Sequence, residues 1–126
     1  GSVQVFSGTV WEGMAGYSRA TRSGNRISVS GTTATNGHRM IGGNDAGAQA
    51  HFVLDKIEAA ITSLGGKMED VIRTRIFVNN INDWEPVARA HGQRFAGIQP
   101  ANTLVEAKLV GEGYLVEIEA EAEVGS

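Results

Sequence analysis

The chain has 126 residues, enough to bury one hydrophobic core and too few for a second, so one domain over residues 1–126 is expected. Its charged residues leave a formal balance of −3 with no acidic or basic block, which argues against a disordered tail and against a nucleic-acid-binding arm. Cysteine is absent, which removes disulfides, thiolate metal ligands and cysteine nucleophiles and matches a reducing compartment, so a cytoplasmic location is expected. No apolar run reaches the roughly 18 residues of a membrane span, the first residues lack a basic-then-apolar signal, and Gly1-Ser2 reads as a cloning scar.

Val3 to Phe6 reads as a short edge strand, and Tyr17 to Arg22 with Arg26 to Ser30 as a hairpin around Ser23-Gly24-Asn25. From Gly31 to Gly47 the chain is polar and glycine-rich, a loop feeding a helix capped by Asn44 or Asp45. Ala50, Val53, Leu54, Ile57, Ile61 and Leu64 recur at helical spacing, and Gly65-Gly66 offers a left-handed stop. Val71 to Val78 is β-branched and alternating and predicts a strand. Asn82 or Asp83 then caps a second helix carrying Trp84, Val87, Ala88, His91 and Phe95, with Pro86 in its first turn and Gly97 at its end. Two strands follow, Thr103 to Leu109 and Leu115 to Val124, around the turn Gly111-Glu112-Gly113. The order β-β-α-β-α-β-β predicts an α+β domain with two helices on one face of a sheet.

Strand side chains alternate faces, so each strand divides into two sets. Val116, Ile118, Ala120, Ala122 and Val124 share one face with Ile72, Thr74, Ile76 and Val78 and with Ile27 and Val29, a set suited to lie beneath the helices. The other face carries Glu117, Glu119, Glu121 and Glu123, the arginines Arg26, Arg73 and Arg75, and Phe77, Leu104 and Leu115. Four glutamates in a row repel unless opposed, and three arginines on the same face offer partners. We therefore expect this face to pack against copies of itself under cyclic symmetry, leaving crevices between subunits for small ligands. The bland alternative is a solvated antiparallel face.

Few motifs carry chemistry. His38, His51 and His91 share no metal-ligand spacing, so no metal is expected. The Gly42–Gly47 stretch lacks the Lys-Ser or Lys-Thr of a phosphate loop, no Gly-x-Ser-x-Gly elbow exists, and scattered arginines in an acidic chain do not form a nucleic-acid stripe. Ser30-Gly31, Asn102 and Glu117 remain, each on a strand and each assigned by alternation to the polar side. Ordinary sheet hydrogen bonding or an interface ion pair accounts for any one of them alone.

Several segments resemble the Rid family of reactive-intermediate deaminases, also named YjgF-like proteins or L-PSP endoribonucleases. They are Gly16-Tyr17, Val29-Ser30-Gly31, Ala48-Gln49-Ala50, Asp70-Val71-Ile72 with Phe77-Val78, Pro100-Ala101-Asn102-Thr103, Val105-Glu106 and Val116-Glu117-Ile118-Glu119-Ala120, in family order over nearly the whole chain. The resemblance implies a mixed sheet of the chorismate mutase-like type, a homotrimer whose sheets form a central barrel, and three inter-subunit clefts. It also implies hydrolysis of enamines or imines to a carbonyl compound and ammonia without a cofactor. Glu117 maps to the catalytic glutamate that positions water, Tyr17 to the cleft aromatic and Ser30 to the strand-end serine, with Gly31, Thr103 and Leu104 beside them and His91 on the rim. The family's carboxylate-binding arginine is Asn102 here. Losing a charged hydrogen bond of roughly 1.5–3 kcal/mol for a neutral one of about 1 weakens carboxylate binding by one or two orders of magnitude. The expectations are thus an imine hydrolase or, alternatively, a non-catalytic small-molecule-binding trimer; the ribonuclease activity in the family name is disfavoured by the acidic composition.

Overall fold

The computed structural model describes residues 1–125 and contains a six-stranded sheet in the order β1-β2-β3-β8-β6-β7. The strands are β1 (Ser2–Val5), β2 (Ala20–Ser23), β3 (Arg26–Thr32), β6 (Val71–Val78), β7 (Ala101–Glu106) and β8 (Val116–Glu123). All neighbours are antiparallel except β6 and β7, which makes the sheet mixed. A parallel pair needs a crossover, and helix α3 (Trp84–Phe95) supplies it. Helix α2 (Ala46–Ser63) lies beside α3, packed on β8 and β3. The two helices thus cover one face, as the periodicities indicate.

Local chemistry sets the ends of α2. The Asp45 side chain accepts from the Ala48 N–H at 3.0 Å. At the other end Gly65 has φ +86°, with Gly66 N–H on the Ile61 carbonyl and Gly65 N–H on that of Thr62, the paired bonds of a Schellman stop. Between them Val53, Leu54, Ile57 and Ile61 are fully buried against Ile27, Ile76 and Ile118. Each such aliphatic side chain contributes ~1.5–3 kcal/mol by leaving water.

Three short elements had no periodic signal. Helix α1 (Val10–Ala15) is a six-residue turn closed by Gly16 at φ +76°, and β4 (Thr35–Asn36) pairs with β5 (Arg39–Met40) inside the stretch expected to be a loop. The last two strands are shorter than expected, ending at Glu106 and starting at Val116.

Register corrects three face assignments. In β6 a shift between Val71 and Arg73 buries Val71 and leaves Ile72 exposed. In β7 Asn102 stands beside Thr74 and Leu104 beside Ile76, so both belong to the helix side and not to the glutamate side. Alternation within a strand gives two sets but does not say which set faces inward, and β7 is an edge strand with little burial to decide it. No helix among the described residues is long and apolar enough to cross a membrane.

Candidate functional site

The glutamate row of β8 is divided by its neighbours. In register, Arg75 faces Glu119, Arg73 faces Glu121 and Arg26 faces Glu123, but Glu117 faces Phe77. Arg75 accordingly bridges Glu119 and Glu121 at 3.3 Å each, and Arg26 reaches Glu121 at 3.1 Å and Glu123 at 3.6 Å. Exposed pairs of this kind are worth little individually. Their effect is to commit three of the four glutamates, whereas Glu117 forms no ion pair among the described residues.

A bulge in β3 brings a backbone against that free carboxylate. Val29 pairs with Ala120 and Thr32 with Ile118, which leaves one extra residue on β3. The bulge presents Gly31 to Glu117 so closely that a Cβ at this position would lie 2.2 Å from Glu117 Oε2. Only a residue without a Cβ leaves the carboxylate in this position. Burial raises the Glu117 pKa, with Arg19 opposing the shift and Glu119 adding to it.

Glu117 and Gly31 line a pocket of about 240 Å³ together with Trp11, Tyr17, Arg19 and Lys56. Trp11 is brought over the pocket by α1, whose one buried side chain, Glu12, accepts from the Ser7 and Gly8 backbone N–H groups at 3.1 and 3.3 Å. Tyr17 follows the Gly16 turn, and its ring lies 5.7 Å from the Arg19 guanidinium carbon. Arg19 Nη2 donates to the Gly31 carbonyl at 2.6 Å, holding the bulge. Lys56, from α2, donates to the Thr35 and Thr33 carbonyls at 2.8 and 3.3 Å. Desolvation lowers its pKa, Arg19 lowers it further, and Glu12 opposes both.

A second polar group lies at the β7 edge. Asn102 Nδ2 donates to Thr74 Oγ1 at 2.9 Å, and the same oxygen lies 2.8 Å from His91 Nε2. Thr74 is fully buried, and burial lowers the His91 pKa, so the imidazole is neutral at physiological pH. Asn102 and Glu117 are on opposite faces with β6 between their strands, which by the ~4.8 Å strand spacing puts them about 10 Å apart at least. Among the described residues no cluster of three or more His, Asp or Glu is arranged to hold a metal ion.

Residues 10–124 match the family model described as Endoribonuclease L-PSP. The chain belongs to this family. It is 41% identical to a member of the YjgF/YER057c/UK114 family from Mycobacterium tuberculosis, over 98% of this chain and 100% of that one, with a TM-score of 0.89. A protein of the conserved Rid family from Yersinia pestis, YyfA, is 27% identical over 98% of this chain and 100% of its own, at a TM-score of 0.86. An uncharacterised protein of Streptomyces coelicolor is 35% identical over 124 residues, 98% of this chain and 92% of that one.

Within this L-PSP/YjgF chain the residues singled out in the sequence fall into separate places. Tyr17, Gly31 and Glu117 line one pocket. Ser30 turns its hydroxyl to the Ser18 carbonyl at 2.8 Å and lines a second groove that shares Tyr17 with the first. His91 and Asn102 meet through Thr74 at the sheet edge. Thr103 stands beside Arg75 and is exposed, and Leu104 packs on the core. Trp11 and Lys56 carried no signal in the sequence: α1 is too short for periodicity, and Lys56 sits on the polar side of α2 like any solvated lysine. Arg19, just before β2, is buried and lines the same space as Lys56 of α2, a meeting that only the tertiary structure shows.

Proposed function

We propose that this chain is a cytosolic homotrimer that binds a small metabolite in clefts between subunits and hydrolyses an imine or enamine there to a carbonyl compound and ammonia. The observation that carries this reading is Glu117: a carboxylate with no ion pair among the described residues, held above its usual pKa by burial, in a pocket walled by Tyr17 and Trp11. A carboxyl group with a raised pKa suits general acid–base work, accepting a proton from water and returning it to the departing nitrogen. One chain does not bring Asn102 to Glu117, so a site using both takes Asn102 from the neighbouring copy. In that arrangement Thr74 fixes the Asn102 amide from behind, leaving its carbonyl oxygen and one N–H for a ligand. The face bearing Glu119, Glu121, Arg26 and Arg75 packs against its symmetry mates, and the acidic row disfavours a polyanionic RNA.

A second reading, binding without catalysis, is favoured by one observation: an asparagine stands where an arginine would anchor a carboxylate. The two readings separate in an assay of 2-iminopropionate generated in situ. The hydrolase reading predicts that ammonia or pyruvate forms faster than in the spontaneous reaction, in proportion to protein concentration. A rate equal to the spontaneous one leaves the non-catalytic reading for that substrate.

A further inference from the structure

Arg19 is 6% exposed, yet its hydrogen-bonding capacity is not used up. Among the described residues its Nε is buried without a hydrogen-bond partner, and so is Thr9 Oγ1 on the same pocket lining. Nη2 is committed to the Gly31 carbonyl, and Nη1 forms an ion pair with buried Glu12 at 3.7 Å that is too long for a hydrogen bond, so it has no hydrogen-bond partner among the described residues. Glu12 is meanwhile occupied by Ser7 and Gly8. A buried guanidinium left under-satisfied is costly unless something completes it. Lys56, which spends two of its three N–H donors on backbone carbonyls, faces the same space.

We infer that Arg19, assisted by Lys56, is the group by which this pocket recognises its ligand, and that it selects a small monocarboxylic acid with an apolar or aromatic tail. This rests on the pocket being the ligand site, as proposed above. It supplies from the β2 side the charge that Asn102 lacks. Glu119, next along the strand, is taken by Arg75, and the charges left about the pocket are its lining Arg19, Lys56 and Glu117 with buried Glu12 behind Arg19. They balance when Glu117 is ionised, and one positive charge is left over when it takes up a proton, so an anion and a protonated Glu117 favour each other. Trp11, Tyr17 and Val110 give the tail its apolar walls. At ~30 Å³ per water the cavity of about 240 Å³ holds about eight waters, room for a small organic acid.

Phenylacetate and its neutral isostere phenylacetamide provide the test. Binding is read from Trp11 fluorescence in a Trp84→Phe background, since the chain has two tryptophans and Trp84 lies exposed on α3. The inference predicts that the acid quenches or shifts Trp11 saturably, with a Kd at least tenfold below that of the amide, and that Arg19→Gln abolishes this preference. Equal affinities in the parent protein overturn the role of Arg19 while leaving the pocket as the ligand site. Silence from both probes at millimolar concentration overturns both. If Arg19→Gln does not fold, the acid-to-amide ratio in the parent protein decides alone, with Lys56→Gln expected to narrow it.

Discussion

Glu117→Gln is expected to lower imine hydrolysis by about 10²–10⁴-fold, the range that a positioned general acid–base group supplies, and at the same time to raise thermal stability at neutral pH. The second effect follows from the direction of the pKa. A carboxyl whose folded pKa is raised stabilises the fold below its unfolded value, and that contribution is lost as pH rises through the folded value. At neutral pH the ionised side chain therefore weighs against folding, and the uncharged amide of similar shape removes the penalty. Removing such a cost commonly yields on the order of 0.5–2 kcal/mol. The gain should shrink toward acid pH, where the native carboxyl is itself protonated. Melting curves of both proteins across pH check this; a variant less stable than the parent at neutral pH contradicts the burial assigned to Glu117.

Gly31→Ala is expected to act on the same carboxylate from the other side. The added Cβ would meet Glu117 Oε2 at 2.2 Å and Cδ at 3.0 Å. The clash falls on the far end of a flexible side chain, so Glu117 turns away at modest cost to stability. Activity suffers more, because a misplacement of the order of 1 Å costs about 10²-fold. Gly92→Ala, on α3 with nothing within 4 Å of the new methyl, serves as the control and should be neutral or slightly stabilising. Full activity in Gly31→Ala would show that Glu117 does its work in another rotamer or not at all.

The sheet and its helices were legible because their signals are periodic. Ile57, Ile61, Ile118 and Ala122 announce by spacing alone which side they bury, and the structure buries them. The site was legible only in part, for reasons of register. Alternation along β8 puts four glutamates on one face, but only the pairing of β6 with β8 shows that Arg73 and Arg75 stop short of Glu117 and leave it Phe77. A slip of two residues would have given Arg75 to Glu117 and closed the site. Asn102 lies on the helix side, against the expectation from alternation, for a related reason: β7 borders β6 on one side only, so its own sequence carries little inward or outward signal. Trp11 and Lys56 come to the pocket through tertiary structure, a short helix pinned by buried Glu12 and a turn of α2 passing above Thr33 and Thr35.

The bulge at Gly31 and the free glutamate occur where β3 meets β8, and the charged row beside them is partly exposed on a single chain. They are explained if a second copy of the chain closes over them. The direct measurement is the mass of the full chain in dilute solution by light scattering. A species of three times 13.3 kDa that persists on dilution to micromolar concentration is expected. A particle of 13.3 kDa under those conditions would leave the glutamate row in water and the pocket without its far wall, and would contradict the account at its base.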